Sequence, residues 1–336
     1  MKLTMKHAWL GPVLACTLVA CDKAPPAAEA TAEATPMVAA PTVSATAAAQ
    51  LPDIRIMDTQ VFPESITSTA DGTVYAGSVK GIVYKAMPGS AEALPWIEHS
   101  EANGILTILG VLADEKSQTL WLCSAPNFFG PERSEGVSSV MAFDLASGTQ
   151  KGVYPFPEGG VCNDVTVAED GTVFAADTPN GRILALDPGS AALRVFGQSD
   201  LLRGIDGIAF SADWTLYANN VQTNGIYRVG VTADNTMGEL TALTLSHELG
   251  GPDGMRLIDG NRFIQAEGTV GRLGIVTIEG DAATLTVLKE DLTSSPGATV
   301  VGNTAYVIES NIQYLLNPDL KGQEPEAFML YAVPLE

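Results

Sequence analysis

The chain has 336 residues, room for one large β domain or two ordinary ones, and 46% of them are hydrophobic, ample for a sizeable core. Its 18 Lys and Arg stand against 39 Asp and Glu, a formal net charge of −21. That balance argues against nucleic acid and against an electrostatic grip on anionic lipid; it reads first as solubility.

In chain order, residues 1–20 read as a targeting segment. Lys2 and Lys6 form a basic start, and the apolar run from Ala8 to Ala20 is too short to span a bilayer. The run ends Leu18-Val19-Ala20-Cys21, similar to a bacterial lipobox. That resemblance implies lipidation of Cys21 as the mature N-terminus. The protein would then be an exported bacterial lipoprotein, facing the periplasm or the cell exterior and touching the membrane through the N-terminal lipid only. The alternatives are an ordinary cleaved signal or an uncleaved short anchor. Residues 21–50 are Ala, Pro and Thr rich, without aromatics or periodicity, and read as a disordered tether; the scattered Pro residues oppose a helix.

From residue 51 to 336 the texture is one of short β-rich runs between Gly, Pro, Asn and Asp. One phrase recurs. Its clearest copy runs from Asn163 to Phe174: an alternating run, Asp170-Gly171, then a second β-rich run. Copies start at Glu64, Asp206 and Asp253, with weaker ones near Leu109 and Gly297, six in all. Their spacing of roughly 45 residues is that of propeller blades. Each phrase predicts strand, tight turn, strand. Further strands follow, such as Arg182 to Leu186 and the looser Leu193 to Phe196. The prediction is an all-β fold, a six-bladed β-propeller with four-stranded antiparallel blades. The strand from Phe328 to Val333 completes the last blade, and residues 51–57 supply the outer strand that closes the ring. Two insertions, 125–139 and 310–326, leave the ends of second strands and would rim the face where first strands begin.

The first position of the phrase reads Glu64, Leu109, Asn163, Asp206, Asp253, Gly297. Four of these six are oxygen donors. In a propeller the innermost strands line a central channel, so equivalent positions converge. Each residue alone reads as a turn-former or strand cap. Three carboxylates together repel one another and resist desolvation unless protonated or joined by a cation. Glu64, Asn163, Asp206 and Asp253 are hard oxygen ligands, suited to Ca²⁺, with Mg²⁺ or Mn²⁺ as alternatives. Cys123 and Cys162 are left in the mature domain. Export and nearby strand ends allow a bridge between them, and buried free thiols are the alternative.

The phrases Phe62-Pro63-Glu64-Ser65, Asn163-Asp164-Val165, Gly204-Ile205-Asp206-Gly207 and Pro252-Asp253-Gly254-Met255 resemble the gluconolactonase, senescence-marker-protein and luciferin-regenerating-enzyme group. That group is similar to paraoxonases and diisopropyl fluorophosphatase. The resemblance spans residues 51–336. It implies a divalent metal, usually Ca²⁺, at the top of the channel, and hydrolysis of lactones or phosphotriesters. By the same resemblance Glu64 is a ligand and Asn163 holds metal or substrate. Asp253 is a ligand and the candidate base or nucleophile. Asp206 stands where the group usually has Asn, and Val161 where sugar-lactone members often have Arg. The expected protein is therefore a monomeric, calcium-dependent hydrolase of small lactones or esters, with Asp253 and Asn163 catalytic. The alternative is a non-catalytic binding or scaffold propeller whose metal is structural.

Overall fold

A computed structural model describes residues 50–129, 135–320 and 322–335. The leader, Cys21 and nearly all of the tether lie outside the described residues, as does the middle of the first insertion.

In the clearest copies of the repeated phrase an aspartate builds the turn. Asp71 Oδ1 accepts from the Thr69 hydroxyl at 2.7 Å and from Thr73 N at 2.9 Å. Asp170 Oδ1 takes Thr172 N at 2.8 Å, and Asp213 Oδ1 takes Thr215 N at 3.3 Å. Hydrogen bonds from Thr69 and Ser211, then from the turn, hold the Asp71 and Asp213 carboxyls below their ordinary range. The next residue is left-handed, with φ of 91° at Gly72, 90° at Gly171 and 63° at Trp214. This is the chemistry of a tight reversal between two strands.

The chain then adds strands in sequence order. Thr107–Asp114, Thr119–Ala125, Ser139–Asp144 and Gln150–Pro155 make one antiparallel sheet. Cys162–Val167, Val173–Asp177, Arg182–Leu186 and Arg194–Gln198 make the next. Ile205–Phe210, Leu216–Asn220, Gly225–Val231 and Met237–Ala242 make a third. Pro252–Asp259, Arg262–Glu267, Arg272–Glu279 and Ala282–Lys289 follow. This sheet carries a fifth strand, Thr244–Leu245, laid parallel along its outer edge, so it exceeds the expected four.

The remaining strands form one eight-stranded sheet. Half of it is the meander Pro63–Ser68, Val74–Ser78, Val83–Ala86 and Glu92–Ile97. The other half is Ala298–Val301, Thr304–Glu309 and Phe328–Pro334, completed by Ile54–Ile56 from the start of the domain. Ile54 faces Leu330 in antiparallel register, as residues 51–57 were expected to do. A short parallel pairing, Arg55 with Glu92, fuses the two halves.

Second strands such as Val74–Ser78, Val173–Asp177 and Leu216–Asn220 are buried at every residue. They have packed neighbours on both faces, hence their apolar and small residues up to buried polar ends at Ser78, Asp177 and Asn219-Asn220. The outer strand Gln150–Pro155 alternates between partly buried and exposed, because one face meets water. The apolar clusters straddle neighbouring sheets. Phe174 packs edge-on against Phe210 of the following sheet at 5.5 Å, and Tyr217 against Phe263 at 5.5 Å. The cluster of Ile66, Val74, Tyr306, Phe328 and Leu330 joins the last strands to the first. Cys123 and Cys162 form a disulfide between adjacent sheets, their Cα atoms 5.1 Å apart.

Inner strands meet around a common axis. Val111 N donates to Ser65 Oγ at 3.0 Å, Ile208 N to Asp164 Oδ2 at 3.0 Å and Gly254 N to Pro296 O at 2.8 Å. Sheets radiating from such an axis are the arrangement of a β-propeller.

Candidate metal and catalytic site

The donor residues owe their position to a repeated irregularity. Each inner strand slips register against its neighbour where the donor stands: at Glu64 between Pro63 and Ser65, and at Asn163 between Cys162 and Val165. The same slip brackets Asp206 between Ile205 and Ile208, and Asp253 between Pro252 and Met255. A β-bulge frees one residue from the ladder and re-aims its side chain. The residue two before the donor is left-handed in three of these strands, with φ of 44° at Phe62, 90° at Gly204 and 66° at Gly251. Leu109 sits in an equivalent slip and is buried, so that place in the column is apolar.

The bulges bring all four predicted donors together. Asn163 Nδ2 donates to Asp206 Oδ2 at 2.9 Å and to Thr178 Oγ1 at 3.1 Å. Asp206 and Asp253 share a side-chain hydrogen bond, and Glu64 interacts electrostatically with both. Asp206 is 6% exposed; the other three are partly buried. Burial first, then Asp206, pushes the Glu64 carboxyl up to about 8. Burial raises Asp206 to about 7, helped by the Asp164 charge and opposed by the hydrogen bonds from Asp253 and Asn163. Asp253 is raised well above the ordinary range by burial, then by Asp206 and Glu64. The group therefore holds extra protons near neutrality.

Among the described residues no three acidic, His or Cys side chains already stand in a metal-holding arrangement. The donor set itself fits a hard divalent cation, since three crowded carboxylates gain most from a positive charge. Asn163 Oδ1 accepts no hydrogen bond from the described residues and is available as a further oxygen. Beside Asp253, Gly268 leaves room that matters, because a Cβ there would lie 2.9 Å from Asp253 Oδ2.

Beneath the donors lies a pair that the sequence reading missed. Arg256 donates bidentately to Asp164, Nη1 to Oδ2 and Nη2 to Oδ1, both at 2.7 Å. Arg256 Nη2 also reaches Val111 O at 3.0 Å. Asp164 takes Ile208 N as well, so this pair ties together inner strands of four sheets. The available signal was an Asp directly after the donor in one copy and an Arg three residues after it in another.

Both insertions lie at the donor end, since Ala125 pairs with Thr107 at the start of its inner strand and Glu309 ends its strand at the same side. Ser138 Oγ, from the first, donates to Gly160 O at 2.9 Å, close to Asn163. Gln60 Nε2, close to Glu64, donates to Glu324 Oε1 of the second at 2.6 Å. The second insertion is partly helical, with one turn over Gln313–Leu316. His247 is paired with Ser246 Oγ at 3.0 Å on the exposed surface.

No protein family model matches the sequence, and no curated protein matches it. Solved structures do. A putative gluconolactonase superposes with a TM-score of 0.60 at 16% identity, over 85% of this chain and 94% of that one. A gluconolactonase from Xanthomonas campestris gives 0.59 at 17%, over 85% and 89%. A luciferin-regenerating enzyme gives 0.60 at 12%, over 83% and 92%. At such identities the likeness is one of fold. In that fold, as in its motifs, the chain resembles the gluconolactonase and luciferin-regenerating-enzyme propellers.

Proposed function

We propose that the protein is a six-bladed propeller that binds a divalent cation, Ca²⁺ first, through Glu64, Asn163, Asp206 and Asp253, and hydrolyses small lactones or esters there. The six-blade count takes the eight-stranded sheet as two blades joined by the parallel Arg55–Glu92 contact. The observation that carries the reading is the convergence of three proton-hungry carboxylates and one amide from four bulged strands. Their mutual repulsion is a standing demand for positive charge. The gluconolactonases it resembles in fold point to the same chemistry.

A cation at this place would polarise a lactone or ester carbonyl and offset the charge of the carboxylates. The chain's own groups do the rest. Asp253, beside Gly268, which has no Cβ to crowd its Oδ2, accepts the proton of an attacking water. Asn163 orients the reacting group through its amide, and its bond to Thr178 fixes the side chain for that task. Low accessibility strengthens each of these interactions. Residues 1–20 are proposed as a lipoprotein signal, Cys21 as the lipid anchor, 21–50 as the tether and 51–336 as a monomeric catalytic domain facing the periplasm or cell exterior.

Metal analysis of the purified protein, followed by a lactone and ester panel on the wild type and Asp253→Asn, tests the reading. Bound calcium and turnover that the variant loses are expected. Bound calcium with no turnover would leave the second reading, a non-catalytic binding or scaffold propeller whose metal is structural; metal-free protein would remove the metal from both.

A further inference from the structure

The opposite mouth of the channel holds a cavity of about 410 Å³. It is lined by the far ends of the inner strands, including Thr67, Thr166 and Phe210, with Arg256 and Trp214. The Arg256–Asp164 pair stands between it and the donor cluster. At this mouth the hairpin turns pass through a left-handed residue. Four are glycines, with φ of 91° at Gly72, 90° at Gly171, 47° at Gly260 and 58° at Gly302; a fifth is Gln118 at 52°. The remaining one is Trp214, at φ 63° and 45% exposed.

A bulky side chain in this conformation is disfavoured, and the turn has no need of it, since glycine serves elsewhere. Nor does the core take up the ring; it only leans on Phe210 at 5.9 Å. A strained backbone carrying a half-exposed indole beside a cavity is the kind of outlier that points to a ligand. The polar groups narrow its chemistry. Arg256 Nε is buried without a partner. Thr67 Oγ1 accepts Ala113 N at 3.1 Å, which leaves its own hydrogen to give. Thr166 Oγ1 has no partner among the described residues. Glu115 at the rim spends one oxygen on Ala70 N at 2.6 Å and keeps the other. The Arg256 charge is neutralised by Asp164, and the rim is acidic, so an anion is not favoured. What fits is a neutral ring with one apolar face and both donors and acceptors around its edge.

We propose that this mouth is a second site, independent of the donor cluster, which binds a neutral saccharide unit with Trp214 as the stacking platform. The pyranose ring meets the description: axial hydrogens make one face apolar, and hydroxyls both give and accept hydrogen bonds. The volume matches a mono- or disaccharide.

The test is titration of the full chain with a panel of neutral mono- and disaccharides, including glucose, galactose, mannose, maltose and cellobiose. Indole fluorescence and ligand-observed saturation-transfer NMR provide the readouts. At least one sugar is expected to shift the emission and to bind with chelator present. Trp214→Gly should lose that binding about tenfold or more, while raising the melting temperature. Trp214→Phe should retain part of it, and Asp253→Asn should leave it unchanged. No response across the panel, equal binding by Trp214→Gly, or loss of binding with Asp253→Asn would overturn the proposal. None of these outcomes bears on the hydrolase reading, which is decided by metal and turnover.

Discussion

Glu64, Asp206 and Asp253 set the pH behaviour of the metal-free protein. All three bind protons more tightly folded than unfolded, Glu64 to about 8 and Asp206 to about 7. Their contribution to stability is therefore complete below the ordinary carboxylate range. It is lost as pH rises through their folded values, because the unfolded chain then releases protons that the fold retains. The melting temperature without metal should fall between about pH 4 and pH 8. Saturating Ca²⁺ should flatten this slope and raise stability most at the alkaline end. Glu64→Gln should shallow the metal-free slope. A slope of opposite sign in thermal melts would contradict the assigned proton affinities.

Arg256 makes a separate prediction at the same scale. Arg256→Leu strands the Asp164 carboxylate in the channel and should cost about 3–5 kcal/mol. The double variant Asp164→Leu/Arg256→Leu should recover much of that, since no lone charge remains; urea denaturation measures both. The donor column was legible in sequence because Glu64, Asn163 and Asp206 stand eight residues before the left-handed turn residue and Asp253 seven, and near-equivalent offsets converge in a ring. Arg256 was not legible. An Arg in a strand of alternating texture reads as outward-facing, and only the bulge at Asp253 decides which side it takes. Trp214 was hidden for another reason: its phrase keeps the Asp and the Thr of the turn, so the pattern matched without asking what stood between them.

Among the elements, the hairpins were read from period and turn chemistry, and the structure adopts them with strand limits moved by one or two residues. The strand Thr244–Leu245 escaped notice because two residues cannot show a period. The disulfide partners lie 39 residues apart, and their pairing needed the geometry of adjacent sheets. On chain-entropy grounds a bridge over such a loop contributes about 4 kcal/mol. Reduction, or the Cys123→Ala/Cys162→Ala variant, should lower the melting temperature by several degrees without changing the far-UV circular dichroism of the folded state. Equal melts with and without reductant would argue that the bridge is absent in solution. At the turn, Trp214→Gly removes left-handed strain worth about 1–2 kcal/mol, some of it returned as backbone entropy.

At the scale of the whole molecule, stability depends on the seam where Ile54–Ile56 joins Phe328–Pro334. Ile54, Ile56 and Leu330 are each at most 2% exposed. Leu330→Ala should cost about 2–5 kcal/mol. A chain starting at residue 51 should melt like one that carries the tether, whereas a chain starting at residue 58 should melt well below both. Scanning calorimetry of the two truncations distinguishes a closed ring from one whose last sheet stands alone. Ring closure was legible in sequence as a leftover strand at each end, but the fusion of first and last sheets through Arg55 and Glu92 was not, since two residues of parallel pairing leave no pattern.

The seam also acts on the order of events in the cell. Ile54 and Ile56 emerge early during synthesis, yet their partner around Leu330 is made almost last. Until then the first hairpin lacks its final neighbour and an apolar edge stays uncovered. A chain stopped before residue 328 never closes. It leaves Ile54, Ile56 and Phe62 without their packing partners Phe328 and Leu330. Covering Ile54 and Ile56 therefore waits on a strand about 270 residues further along the chain.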